Sequence, residues 1–221
     1  MIADQRLTDY IFSLETGQGE LCDRIEQEAL AARVPILRRE TAALLKTLVA
    51  ATAPKAILEI GTAVGYSALL MAQVMPKDAT ITTVEKYEKR IPLAREHFRL
   101  AGEEKRITLI EGDAGEVIKD LPERTFDFVF MDAAKGQYLG WLAGILRVMK
   151  PGAMLVSDNV LQDGDVIQSR FAVERRDRTI HTRMREYLWT LKHTEELQTS
   201  VLTVGDGVAL SVLKIENDNL R

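Results

Sequence analysis

Acidic residues recur where apolar runs end: Glu59, Glu85, Asp113, Asp132 and Asp158. In an open α/β sheet, ligands sit outside the carboxyl ends of the strands. Five carboxylates gathered there need hydrogen-bond donors or a cation to offset their charge. Glu85 stands 24 residues after Gly61, about where a doubly wound fold places the acid that accepts hydrogen bonds from a ribose diol. Glu59 suits the amino-acid part of such a nucleoside ligand, and Asp113 with Ala114 suits an adenine edge. Asp132, Asp158 and Asn159 are oxygen donors of the kind that hold a hard divalent cation such as Mg²⁺. The same residue types also cap loops and helix starts through hydrogen bonds, and spacing alone leaves both readings open.

The stretch that would position the ligand runs from Lys55 to Ser67, as Lys-Ala-Ile-Leu-Glu-Ile-Gly-Thr-Ala-Val-Gly-Tyr-Ser. It follows Pro54 and reads as strand, tight loop and helix. Gly61 and Gly65 let the backbone approach a ligand, and the helix N-terminus beyond supplies unpaired N–H groups.

Around this stretch, strands are expected at 56–60, 80–84, 107–110, 127–131 and 153–157, with helices near 66–75, 87–101, 114–120 and 137–149. Such alternation implies a parallel sheet with helices on both faces. Pro151-Gly152 reads as the turn into the fifth strand. The last third changes character. One helix is expected over 172–196, then strands at 199–204 and 208–214 around Gly205-Asp206-Gly207, an antiparallel hairpin. Residues 1–53 read as three helices, at 2–14, 21–32 and 37–53. They form a helical extension ahead of a core at 54–221, within one structural domain, and offer a cover or a dimer surface. Val34-Pro35-Ile36 is less helical and could loop over the ligand cleft.

The 221 residues carry 46% hydrophobic and 28% charged side chains, ordinary for a globular domain. No apolar run reaches membrane-spanning length and no signal-peptide core opens the chain, so a cytoplasmic location is expected. The single cysteine, Cys22, excludes an intrachain disulfide framework and reads as a packing residue. His181 and His193 read as surface or packing residues, and Tyr187 and Trp189 as core. The net charge of −4 argues against wholesale nucleic-acid binding. Residues 170–192 depart from it: Arg170, Arg175, Arg176, Arg178, Arg183, Arg185 and Lys192 outnumber Glu174, Asp177 and Glu186.

Three stretches together, Leu58 to Ser67, Met131 to Tyr138 and Ser157 to Leu161, resemble the S-adenosylmethionine-dependent, metal-dependent O-methyltransferases of the catechol and caffeoyl-CoA type. The similarity covers about residues 30–214. It implies a class I methyltransferase fold, Rossmann-like, with a seven-stranded, mostly parallel sheet closed by the C-terminal hairpin. Within this group, Asp-Ala-Ala-Lys-Gly-Gln-Tyr at 132–138, the arginine-rich segment and Val204 to Gly207 resemble the bacterial tRNA 5-hydroxyuridine methyltransferases. The resemblance implies S-adenosylmethionine contacts at Val34, Glu59, Gly61, Thr62, Ser67, Glu85, Asp113, Ala114 and Asp132. It implies metal ligands at Asp132, Asp158 and Asn159, with Lys135 where the catechol enzymes keep the lysine that takes the hydroxyl proton. Ala133-Ala134 departs from the bulkier or charged residues of many small-molecule relatives, so their substrate pocket does not transfer.

A hydroxyl beside a second oxygen can chelate a metal, which orients it and eases its ionisation. Catechols have that pair, and so does 5-hydroxyuridine. The expected substrate is 5-hydroxyuridine at the tRNA wobble position, with Arg175, Arg176, Arg178, Arg183 and Arg185 holding the anticodon stem-loop. A small catechol or hydroxycinnamoyl substrate is the alternative, and a solvated helix face is the alternative for the arginines. Lys135 would act as general base, or else be a surface or carboxylate-paired lysine. A homodimer is expected through the N-terminal helices.

Overall fold

The computed structural model describes residues 5–215. Its elements follow in order as α1 (Gln5–Ser13), α2 (Glu20–Ala31), α3 (Arg39–Thr52), β1 (Ala56–Ile60), α4 (Tyr66–Val74), β2 (Thr80–Glu85), α5 (Ile91–Ala101) and β3 (Ile107–Glu111). Then come α6 (Ala114–Asp120), β4 (Phe126–Met131), α7 (Tyr138–Val148), β5 (Met149–Ser157), α8 (Arg178–His193), β6 (Leu197–Leu202) and β7 (Val208–Leu213). The start of the first expected helix, residues 2–4, lies outside the described residues.

The sheet has seven strands in the order β3-β2-β1-β4-β5-β7-β6. β1 to β5 pair in parallel, while β7 runs antiparallel to both β5 and β6. This is the Rossmann-like methyltransferase architecture with its closing hairpin. Side-chain alternation along the strands divides the core in two. Ile57, Ile81, Phe128 and Phe130 face α2, α3, α4 and α5, whereas Leu58, Ile60, Val129 and Met131 face α6, α7 and α8. Burial of both faces explains why Phe126 to Met131 is apolar nearly throughout. Cys22 lies in the first of these layers.

Several boundaries differ from the sequence reading, among them the start of α5 at Ile91 rather than 87 and the placing of β6 at Leu197–Leu202 rather than 199–204. β5 begins at Met149, so Pro151-Gly152 sits inside the strand, where the register against β4 shifts and Gly152 adopts φ +83°. α8 begins only at Arg178, because residues 170–177 make turns. No described helix is long and apolar enough to cross a membrane.

The chain reverses strand order between β1 and β4, and their carboxyl ends lie side by side, Ile60 against Met131. The loops leaving them nearly touch. Gly61 has φ +105°, and a Cβ there would collide with the Asp132 carbonyl oxygen. Only glycine fits that approach.

Candidate functional site

A cleft of about 390 Å³ opens at these strand ends. Its walls include Gly61, Thr62, Ser67, Glu85, Asp113, Ala114, Asp132, Lys135 and Asn159, with Pro35, Ile36 and Leu37 along one side. The loop before α3 therefore does border the cleft. Val34 itself packs against the first core layer, its N–H donating to the Ala29 carbonyl at 2.8 Å.

Glu59 is fully buried and lies behind the cleft wall. Its carboxyl accepts hydrogen bonds from Ser67 Oγ and Thr83 Oγ1, each at 2.5 Å. Burial pushes its pKa up to about 7, against the lowering effect of those two donors. Thr83 is braced in turn by Thr62, at 2.6 Å between hydroxyl oxygens. Glu85 accepts from the backbone N–H groups of Ala63, Lys86 and Tyr87 at 2.7, 3.0 and 2.8 Å. Asp113 caps α6 by accepting from the Gly115 N–H at 2.9 Å, and Lys86 pairs with it at 3.2 Å. That backbone donor and the lysine hold the Asp113 carboxyl below its usual range.

Across the cleft, the Asn159 amide donates to Asp132 at 2.9 Å and to Asp158 at 3.1 Å. Asn159 is left-handed, with φ +61°, a conformation asparagine tolerates better than most residues. Loss of solvation raises the pKa of both carboxyls, and at Asp158 the Asp132 charge adds to it. Asp158 Oδ1 is buried without a hydrogen-bond partner. An unused acceptor beside a second carboxylate and an amide fits a hard divalent cation. Among the described residues, no three His, Cys, Asp or Glu side chains gather to hold a metal ion, and the third oxygen donor beside Asp132 and Asp158 is the Asn159 amide. The strand ends are propped from behind by buried Tyr138, whose hydroxyl donates to the Met131 carbonyl at 3.1 Å and accepts from the Ala133 N–H at 3.0 Å.

Lys135 stands at the cleft edge with its Nζ 3.2 Å from Asp206 Oδ2. Its amine is thus held beside a carboxylate. Asp206, read from sequence only as a turn residue, is buried at 4% exposure. Trp141 also lines the cleft from α7 and gave no sequence signal beyond a helical apolar position.

The arginine-rich segment divides. Arg178 donates to the Val173 and Phe171 carbonyls, Arg183 to Gly136 and Arg185 to Val166, tying α8 to the loops before it. Arg183 and Arg185 are nonetheless exposed, as are Arg170, Arg175 and Arg176, the last paired with Glu174 at 2.9 Å. Buried Tyr187 bonds Ser157 at 2.6 Å. Trp189 corrects the core reading: it is 64% exposed, stacked on His193 with ring centroids 4.1 Å apart. His181 is buried and packs as read.

The profile of the O-methyltransferase family matches residues 20–215. A catechol O-methyltransferase of Niastella koreensis is 35% identical over 116 residues, 51% of this chain and about half, 52%, of that relative. A flavonoid 3′,5′-methyltransferase of Vitis vinifera is 32% identical over 71% of this chain and 69% of its own length. Among solved structures, the Podospora anserina methyltransferase PaMTH1, bound to S-adenosylhomocysteine, superposes with a TM-score of 0.84 at 27% identity, covering 96% of this chain and 95% of that one. Fold, family profile and relatives agree, and the chain belongs to the S-adenosylmethionine-dependent O-methyltransferases of the catechol and caffeoyl-CoA type.

Proposed function

We propose that the chain methylates the 5-hydroxyl of 5-hydroxyuridine at the tRNA wobble position, giving 5-methoxyuridine. The observation that carries methyl transfer to such an oxygen is the convergence of Asp132, Asp158 and Asn159 beside Lys135 on one edge of the cleft. Two further features support an RNA substrate over a compact one. Ala133 and Ala134 leave that edge of the cleft without bulk, and Arg170, Arg175 and Arg176 present exposed guanidinium groups on the turn that follows the Asp158 loop.

Bound S-adenosylmethionine supplies an electrophilic methyl group. A divalent ion held by Asp132, Asp158 and Asn159 would supply a Lewis acid for a hydroxyl and its neighbouring carbonyl. Glu85 stands ready to accept from a ribose diol, since two of its three backbone donors fall on Oε1 and one on Oε2, which leaves acceptor capacity on Oε2. Asp113 and Ala114 border the place of an adenine. Glu59 keeps Ser67 and Thr83 in place from behind. Lys135 receives the proton at Nζ as the substrate oxygen takes the methyl and the methyl–sulfur bond breaks, giving S-adenosylhomocysteine.

A second reading, a small catechol or hydroxycinnamoyl substrate, is favoured by the names of the curated relatives. Incubation with labelled S-adenosylmethionine, Mg²⁺ and tRNA bearing 5-hydroxyuridine, beside a parallel reaction on a catechol, separates the two. Mass spectrometry of the nucleosides should reveal 5-methoxyuridine. Methylated catechol with unchanged tRNA would move the enzyme to the small-molecule reading.

A further inference from the structure

The hairpin turn between β6 and β7 makes contacts that a surface turn does not need. Asp206 Oδ1 accepts the Asp163 backbone N–H, and its Oδ2 faces Lys135 Nζ at 3.2 Å. The turn's carbonyls are engaged as well: Asp206 O accepts from the Leu161 N–H at 2.9 Å and Gly207 O from the Val160 N–H at 3.0 Å. Gly207, at φ +85°, lies so close to Leu161 that a Cβ would overlap that side chain. The loop carrying Asp158 and Asn159 is thereby fastened to the turn that carries Asp206. A further link runs outward, where Asp163 Oδ1 accepts from Arg38 at 2.8 Å, beside the Pro35 to Leu37 wall of the cleft.

We infer that Asp206 is the positioning residue for Lys135, holding its amine at the cleft edge in register with the Asp158–Asn159 loop. The inference rests on methyl transfer at this site. Lys135 is one-third exposed and reaches from a short 3₁₀ turn, where a free lysine would sample many rotamers. A buried carboxylate that also fixes the neighbouring loop removes that freedom. It acts again during the reaction. When the amine takes a proton from the substrate hydroxyl, the new ammonium forms beside a carboxylate that is already in place. The nitrogen thus keeps one place at the cleft edge before and after the transfer.

The test compares the wild-type protein with Asp206→Asn, Asp206→Glu, Lys135→Met and the double variant Lys135→Met/Asp206→Asn. Asparagine can still accept the Asp163 N–H, so Asp206→Asn removes the charge while keeping the loop bond. Its kcat should fall roughly 10- to 100-fold, part of the range of a general base, with KM for S-adenosylmethionine held. Asp206→Glu should recover most of that loss. On the Lys135→Met background, Asp206→Asn should cost nothing further, because the two act as one unit. An equal loss on both backgrounds would make Asp206 merely structural and overturn the inference. A second readout needs no turnover: ¹³C-methyl labelling of the lysines, with the Lys135 resonance assigned by its loss in Lys135→Met. Asp206→Asn should move that resonance toward the exposed lysines. An unmoved resonance refutes the pairing, whereas an enzyme inert toward both tRNA and catechol counts against the proposed function alone.

Discussion

The two halves of the cleft solve the burial of carboxylates differently. At the ends of β1, β2 and β3, the protein's own donors answer each acid: Ser67 and Thr83 for Glu59, three backbone N–H groups for Glu85, Gly115 and Lys86 for Asp113. At the ends of β4 and β5, two acids share one amide, and Asp158 keeps an unpartnered oxygen. The first half is complete before any ligand arrives, so it can recognise a rigid nucleoside with little reorganisation. The second retains a buried acceptor, Asp158 Oδ1, that a cation or a donor proton can use. Under the proposed function, nucleoside binding falls mainly to the first half and the chemistry to the second.

If that division holds, a substitution in the second half should destroy turnover while leaving the first half intact. Asp158→Ala should lower kcat by roughly 1000-fold, the several kcal/mol that a Lewis acid contributes to a developing oxyanion. Binding of S-adenosylmethionine, followed by calorimetry, should survive, and a chelator should reproduce the loss in the wild-type protein. A joint loss of cofactor binding would break the distinction.

The first half can be probed through proton linkage. Glu59, held near 7, keeps a proton between about pH 4.5 and 7 that the unfolded chain has already released. The unfolded state then binds fewer protons, so stability should fall as pH rises through that window, by up to about 3 kcal/mol. Thermal unfolding at pH 5 and at pH 7.5 measures the slope, and Glu59→Gln should flatten it. The smallest effect concerns neither half but the rim. Arg175→Ala with Arg176→Ala should raise KM for tRNA roughly tenfold and reduce its salt dependence, leaving any catechol turnover unchanged. Equal loss on both substrates would remove the rim from RNA binding.

Much of the first half was legible in the sequence because its logic is local. An apolar run ending in an acid, followed by glycines and a helix-forming stretch, fixes Glu59, Gly61 and Ser67 relative to one another, and the alternating elements carried the fold. Asp206 was not legible as a site residue. Its role depends on the hairpin arriving beside Lys135, which stands 71 positions earlier in the chain. The contacts of the arginines were hidden for a related reason. Charge is visible in a sequence, but the carbonyls that engage Arg178, Arg183 and Arg185 are not. Trp189 looked like core because its helical spacing suited burial, yet α8 turns it outward onto His193.

The collision that a side chain at Gly61 would suffer with the Asp132 carbonyl sets a manufacturing tolerance for the enzyme. In-line transfer needs donor and acceptor aligned to within about half an ångström. Here the two supporting loops abut with no room for even a methyl group, so the spacing is gauged by backbone contact. Gly61→Ala would act as a shim, spreading the strand ends and misaligning the reaction while every functional side chain remained present.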